Sequence, residues 1–101
     1  MVKYNDAGDD MLHAFTRTEW LIGEKALRKL HSSTVAVFGI GGVGSFAAEA
    51  LARCGVGTLI LVDHDKVCPT NINRQIHADV TTVGRPKVEV MKERLLKINP
   101  A

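Results

Sequence analysis

Cysteine is scarce in this chain. Cys54 and Cys68 are its two thiols, with no Cys-x-x-Cys spacing and no histidine at ligand distance, so neither a disulfide framework nor a zinc site is indicated. Long apolar runs are absent too: nothing approaches the roughly 18 residues of a membrane-spanning helix, and residues 1–10 lack the apolar centre of a signal peptide. The expected compartment is therefore the cytoplasm, with no membrane partner. Charge of one sign is also lacking. Thirteen basic against eleven acidic residues leave +2, too slight for the clustered basic face that marks a nucleic-acid binder. There are no repeats, no low-complexity stretch and no interdomain linker, and the mix of 46% hydrophobic and 24% charged residues is that of an ordinary globular unit.

Periodicity divides the chain into a few elements. Residues 1–10 are polar, with three aspartates and little apolar content, and read as a mobile tail. Trp20, Ile22, Ala26, Leu27 and Leu30 predict a helix from about Glu19 to His31, with Trp20 in the core or at an interface. Thr34-Val35-Ala36-Val37-Phe38 is a short β-branched apolar run, as for a strand buried in a parallel sheet. A second such run, Thr58-Leu59-Ile60-Leu61-Val62, follows a helical pattern of Phe46, Ala47, Ala50, Leu51 and Cys54 that ends at Gly55. Cys54 falls on the apolar face of that helix and is assigned to packing. Val88, Met91, Leu95 and Ile98 form one stripe on a last helix from about Pro86 to Asn99.

Chemistry concentrates between residues 39 and 87. Gly39, Gly41, Gly42 and Gly44, with Ser45, lie between the first strand and its helix, where missing side chains permit a sharp turn and let a phosphate approach free N–H groups. Asp63 ends the second strand, nineteen residues after Gly44, near the offset of roughly 20 at which a carboxylate meets a ribose hydroxyl. A tight connection with no ligand, an NAD site and an ATP site all share these features. The segment Cys68-Pro69-Thr70-Asn71-Ile72-Asn73-Arg74-Gln75 favours ATP. Arginine matches phosphate oxygens with a planar fork, Asn71 and Gln75 orient without adding charge, and Lys87 supplies a second cation for a triphosphate. Cys68 and His77 border this segment. Both are assigned structural roles.

Together, Gly39-x-Gly41-Gly42-Val43-Gly44-Ser45, Asp63-x-Asp65-x-Val67-x-x-x-Asn71-x-x-Arg74-Gln75 and Val83-Gly84-x-x-Lys87 resemble the E1-like superfamily, from about Phe15 to Pro100. Leu21-Ile22-Gly23-Glu24, Asn73-Arg74-Gln75-Ile76-His77-Ala78 and Glu89-Val90-Met91-Lys92-Glu93-Arg94 resemble one branch, the tRNA threonylcarbamoyladenosine dehydratases. The resemblance implies a Rossmann-like α/β fold, ATP and Mg2+ as cofactors, and ATP-driven activation and cyclisation of a threonyl carboxylate on tRNA. It also implies that the glycine loop and Ser45 line the phosphates, that Asp63 and Asp65 lie at the nucleotide, and that Asn71, Arg74, Gln75 and Lys87 surround the α-phosphate and pyrophosphate. Arg17 stands where relatives send an arginine across a dimer interface to the partner's ATP. No metal ligand is assigned within the chain, because the relatives' magnesium-binding aspartate lies further on.

Two strands are few for a doubly wound sheet, so residues 11–101 are expected to be the N-terminal part of an ATP-binding domain, truncated before its third strand. An unpaired strand edge and an uncovered apolar face would then favour a homodimer or higher self-association. Two other readings share the same motifs. One is an activator of a ubiquitin-like sulfur carrier; the other is a nucleotide-binding or NAD-binding module without catalysis.

Overall fold

The computed structural model of the chain describes residues 12–100. The tail expected over residues 1–10 lies outside them. Two short helices, α1 (Thr16–Ile22) and α2 (Glu24–His31), lead into strand β1 (Thr34–Phe38), helix α3 (Gly42–Arg53) and strand β2 (Thr58–Val62). A 3-10 turn at Pro69–Asn71 and a long irregular segment then precede helix α4 (Lys87–Leu96).

The strands pair in parallel, with Thr34 opposite Thr58 and Phe38 opposite Val62. This is the expected βαβ unit, with both strand boundaries as the sequence implies. Helices α3 and α4 cover one face of the sheet. There Val37 and Ile40 join Ala48 and Ala52 of α3 and Met91 and Leu95 of α4 in a single buried cluster, with Leu59, Leu61, Val88 and Ile98 packed against it. The apolar stripe expected on α4 is thus the stripe that packs, and each fully buried side chain of this size contributes about 1.5–3 kcal/mol. Glu49 on α3 adds a polar tie between the helices by accepting hydrogen bonds from Arg94 of α4 and Arg53 one turn on. The Arg94 bond, opposed by burial and aided by Arg53, holds the Glu49 carboxyl below its usual range.

The opposite sheet face is bare. Ala36, Phe38, Ile60 and Val62 are exposed, Phe38 to 77%. The strands were expected to be buried on both sides, but α3 and α4 pack on the same side, and among the described residues nothing covers the other. Parallel sheets are normally sandwiched between helices. On the covered side an apolar groove of about 640 Å³ also remains open between β2 and α4, lined in part by Leu59, Leu61, Val88 and Leu95. The core is correspondingly thin.

Three local expectations are corrected. The single helix expected from Glu19 to His31 is two helices, because Gly23 adopts φ 88° and ψ 161°, which no helix accommodates. Its N–H closes α1 on Glu19 and its carbonyl opens α2 by accepting the Leu27 N–H. Of the two places expected for Trp20 the core is excluded, since it is 67% exposed and lies under the Arg17 guanidinium at 5.4 Å. Cys54 is exposed at the C-terminal cap of α3 rather than packed, since the helix has turned its last apolar face inward by Ala52. No helix among the described residues is long and apolar enough to cross a membrane.

Candidate functional site

The glycine loop connects β1 to α3 and divides its glycines between two tasks. Gly39, at φ 90°, turns the chain, and its N–H extends the sheet by donating to the Val62 carbonyl at 2.8 Å. Gly44 permits close packing: a Cβ there would stand 1.7 Å from the Gly39 oxygen. Gly41 and Gly42 differ. A Cβ on either would meet nothing nearer than the Gln75 amide nitrogen at 3.7 Å and the Arg74 stem at 3.9 Å, ordinary contact distances that leave room for one more atom at both. That space adjoins the first turn of α3, whose leading N–H groups have no helical partner.

Asp63 sits at the end of β2 and grips this loop. Its Oδ2 accepts the Ile40 N–H at 2.7 Å and its Oδ1 accepts the Asp65 N–H at 2.8 Å. Burial works to raise its pKa, but these two backbone donors, with the nearby Lys87 charge, hold it below the usual carboxylate range. It stays ionised at neutral pH. Each oxygen keeps a lone pair for a further donor such as a ribose hydroxyl.

Lys87 comes to the same place through backbone pairing. Residues 65–67 and 84–87 run antiparallel, with Val67 N–H to Arg85 O, Gly84 N–H to Val67 O and Lys87 N–H to Asp65 O at 2.8–3.0 Å. The pairing sets the first residue of α4 beside the end of β2. Lys87 is only 7% exposed and forms no side-chain hydrogen bond or ion pair among the described residues. Its charge nevertheless lies near enough to Asp63 to lower that carboxyl's pKa, which places a cation at the end of β2 beside the glycine loop.

The polar segment is fastened at several points. Asn71 is buried, and its Oδ1 accepts the Cys68 N–H at 2.8 Å, capping the 3-10 turn. Arg74 is exposed; its stem lies along Gly42, while its guanidinium donates to Thr70 O and Asn73 Oδ1, both at 3.0 Å. Gln75 is buried, with its amide nitrogen toward Gly41 and its Oε1 lacking any partner. Ser45 is fully buried, and its Oγ accepts the Ile76 N–H at 3.3 Å, so its hydroxyl clamps this segment to α3 instead of being free for a phosphate. Cys68 is exposed and accepts the Thr70 hydroxyl at 3.3 Å, which together with the Thr70 backbone and the Lys87 charge draws its pKa down.

The structure thus brings together Gly41, Gly42, Asp63, Arg74, Gln75 and Lys87. Arg17 is exposed on α1, engaged with Trp20 and unconnected to the loop. Asp65 is exposed and pairs with His64 at 3.4 Å. Asp63, His64 and Asp65 also have ligand atoms within 4.8 Å of one another, an arrangement that exposed acidic groups commonly show without an ion. One participant escaped the sequence reading: Ile40, whose N–H and C=O are both held by side chains of the site. Its apolar side chain gives no local hint, because the partners lie 23 and 37 residues away.

Bare backbone at a helix N-terminus, flanked by a carboxylate at the next strand end, a lysine cation and a buried amide, has the donor set for a nucleotide's phosphates and ribose. The βαβ topology around it defines one half of a doubly wound nucleotide-binding fold. The chain belongs to the ThiF family, whose model matches residues 16–101. It is 62% identical over 90 residues to the Bacillus subtilis tRNA threonylcarbamoyladenosine dehydratase, covering 89% of this chain and 35% of that protein. The Escherichia coli tRNA N6-threonylcarbamoyladenosine dehydratase, solved in complex with ATP, superposes with a TM-score of 0.85 at 56% identity over 86% of this chain and 36% of its own. The Escherichia coli molybdopterin-synthase adenylyltransferase is 46% identical over 79 residues, covering 77% of this chain and 30% of its length. The chain therefore spans about a third of these relatives.

Proposed function

We propose that this chain is the ATP-binding part of an E1-like enzyme that activates a carboxylate, inactive by itself, and that the whole enzyme cyclises threonylcarbamoyladenosine in tRNA with loss of water. The observation that carries the ATP reading is the Lys87 cation, brought beside Asp63 and the glycine loop by the pairing of residues 65–67 with 84–87. ATP, when bound, supplies an α-phosphorus that a carboxylate attacks as pyrophosphate leaves. The chain's residues hold and neutralise. Gly41 and Gly42 offer main-chain N–H groups to phosphate oxygens, and Asp63 receives the ribose. Lys87 and Arg74 counter the charge that builds on pyrophosphate, with Arg74 turning from Thr70 and Asn73 to do so. Gln75 and Asn71 border the reacting phosphorus, Asp65 lies at the rim with Mg2+ as the counter-ion of ATP, and Arg17 serves a partner copy. The setting is cytoplasmic.

The tRNA substrate is favoured by the 62% identity to the Bacillus subtilis dehydratase. A ubiquitin-like sulfur carrier is the second reading, supported by the molybdopterin-synthase adenylyltransferase. A chain extended to the relatives' length separates them. ATP consumption that depends on threonylcarbamoyladenosine-containing tRNA is expected, with no ATP–pyrophosphate exchange on a sulfur carrier. Exchange with the carrier alone would overturn the choice, and absence of ATP binding by either chain would overturn the nucleotide reading.

A further inference from the structure

His77 is 2% exposed and has so far been given only a structural role, with no part in nucleotide binding. Its Nε2 lies 2.8 Å from the Ile40 carbonyl. A carbonyl only accepts, so Nε2 carries the proton, and Nδ1, which has no partner among the described residues, does not. The Ile40 N–H is held at the same time by Asp63 at 2.7 Å. The peptide groups on both sides of Ile40 are therefore fastened by side chains from two different segments, directly before Gly41 and Gly42. The main chain that carries the ring is itself fixed: the His77 carbonyl accepts the Thr82 hydroxyl at 2.9 Å, and the neighbouring Ile76 N–H donates to Ser45.

We propose that His77 is a positioning residue for the nucleotide site. Its Nε2–H sets the orientation of the Ile40–Gly41 peptide, and so the direction in which the following N–H groups point at an anion, while joining the Arg74-Gln75 segment to the loop it works with. Asp63 secures the loop from the strand side, and His77 secures it from the segment that carries the cation. With the bond broken, the Ile40 carbonyl is buried without a partner and the loop relaxes to recover one. The role rests on the nucleotide reading above for its consequence in binding, but not for its effect on the loop.

Two variants test it, with a thermal melt to establish folding, amide hydrogen exchange at Ile40 to read the loop, and calorimetry to read ATP affinity. Leucine keeps the bulk of the ring and loses the donor; glutamine keeps a donor at nearly the same reach. His77→Leu is expected to speed exchange at Ile40 by about tenfold and weaken ATP binding by about tenfold, the effect of losing one buried hydrogen bond. His77→Gln is expected to restore both to within about threefold. A folded His77→Leu protein with unchanged exchange and affinity overturns the proposal. So does His77→Gln if it folds with a loop as loose as any variant lacking the donor, a result that stands even where His77→Leu fails to fold. If the unaltered chain does not bind ATP, the nucleotide reading fails, and the exchange rates still decide whether His77 holds the loop.

Discussion

Replacing Gly41 with valine is expected to abolish ATP binding and leave the fold in place, whereas replacing Gly44 with alanine is expected to do the reverse of sparing the fold. The two glycines are three residues apart and carry the same motif, yet their surroundings differ. At Gly44 an added Cβ falls 1.7 Å from the Gly39 oxygen and 2.8 Å from its carbon, both main-chain atoms that no side-chain rotation can move. Helix α3 must back away from β1, opening the contact among Val37, Ala48 and Ala52, at a cost of about 3 kcal/mol or more. For a domain of this size that lowers Tm by roughly 12 °C or more, at about 4 °C per kcal/mol. At Gly41, φ is −97°, outside the left-handed region, and the nearest atom to a new Cβ is 3.7 Å away. Losing glycine at the residue before the helix costs about 1 kcal/mol. The valine methyls would instead fill the space assigned to phosphate. Loss of two charge-assisted N–H contacts amounts to about 3 kcal/mol, or more than 100-fold in Kd. Calorimetric titration with ATP and thermal melts of both variants measure the contrast. Undiminished ATP affinity in Gly41→Val would place the nucleotide elsewhere, and an unshifted melt in Gly44→Ala would refute the packing argument.

The remaining expectations follow from the same geometry. Lys87→Met removes a charge that makes no hydrogen bond or salt bridge among the described residues, so thermal stability is expected to change little while ATP affinity falls at least tenfold; a variant that loses stability and keeps affinity would make the lysine structural. Asp63→Ala frees the Ile40 and Asp65 N–H groups and removes the ribose contact, and is expected to weaken ATP binding by about 1–3 kcal/mol in titration. Glu49 has a folded pKa below its ordinary 4.5, so its contribution to stability is full above that value and is lost as pH falls through the lower, folded one. Urea midpoints measured from pH 6 downward should therefore drop more steeply for the unaltered chain than for Glu49→Gln, and parallel curves would rule out the Glu49–Arg94 tie as an acid-sensitive element. The exposed Ala36, Phe38, Ile60 and Val62 face predicts self-association, and light scattering that finds a clean monomer at micromolar concentration would count against it.

Sequence alone determined the features whose causes are local. A β-branched run makes a strand wherever a parallel neighbour exists, a glycine cluster after it makes a turn and a helix start, and an apolar stripe on α4 finds the sheet; β1, β2, the loop and the last helix were therefore legible to within a few residues. Periodicity misled at Gly23, where apolar residues on two short helices imitate one stripe, and at Cys54, where the helix ended one residue before the thiol reached the core. Tertiary structure decided what depends on separation. That Ser45 clamps Ile76, that His77 and Asp63 share Ile40, and that Lys87 arrives beside Asp63 through the pairing of residues 65–67 with 84–87 are contacts across 17 to 37 residues. No nearest-neighbour preference encodes such contacts, because they form only when burial forces distant polar groups to satisfy one another.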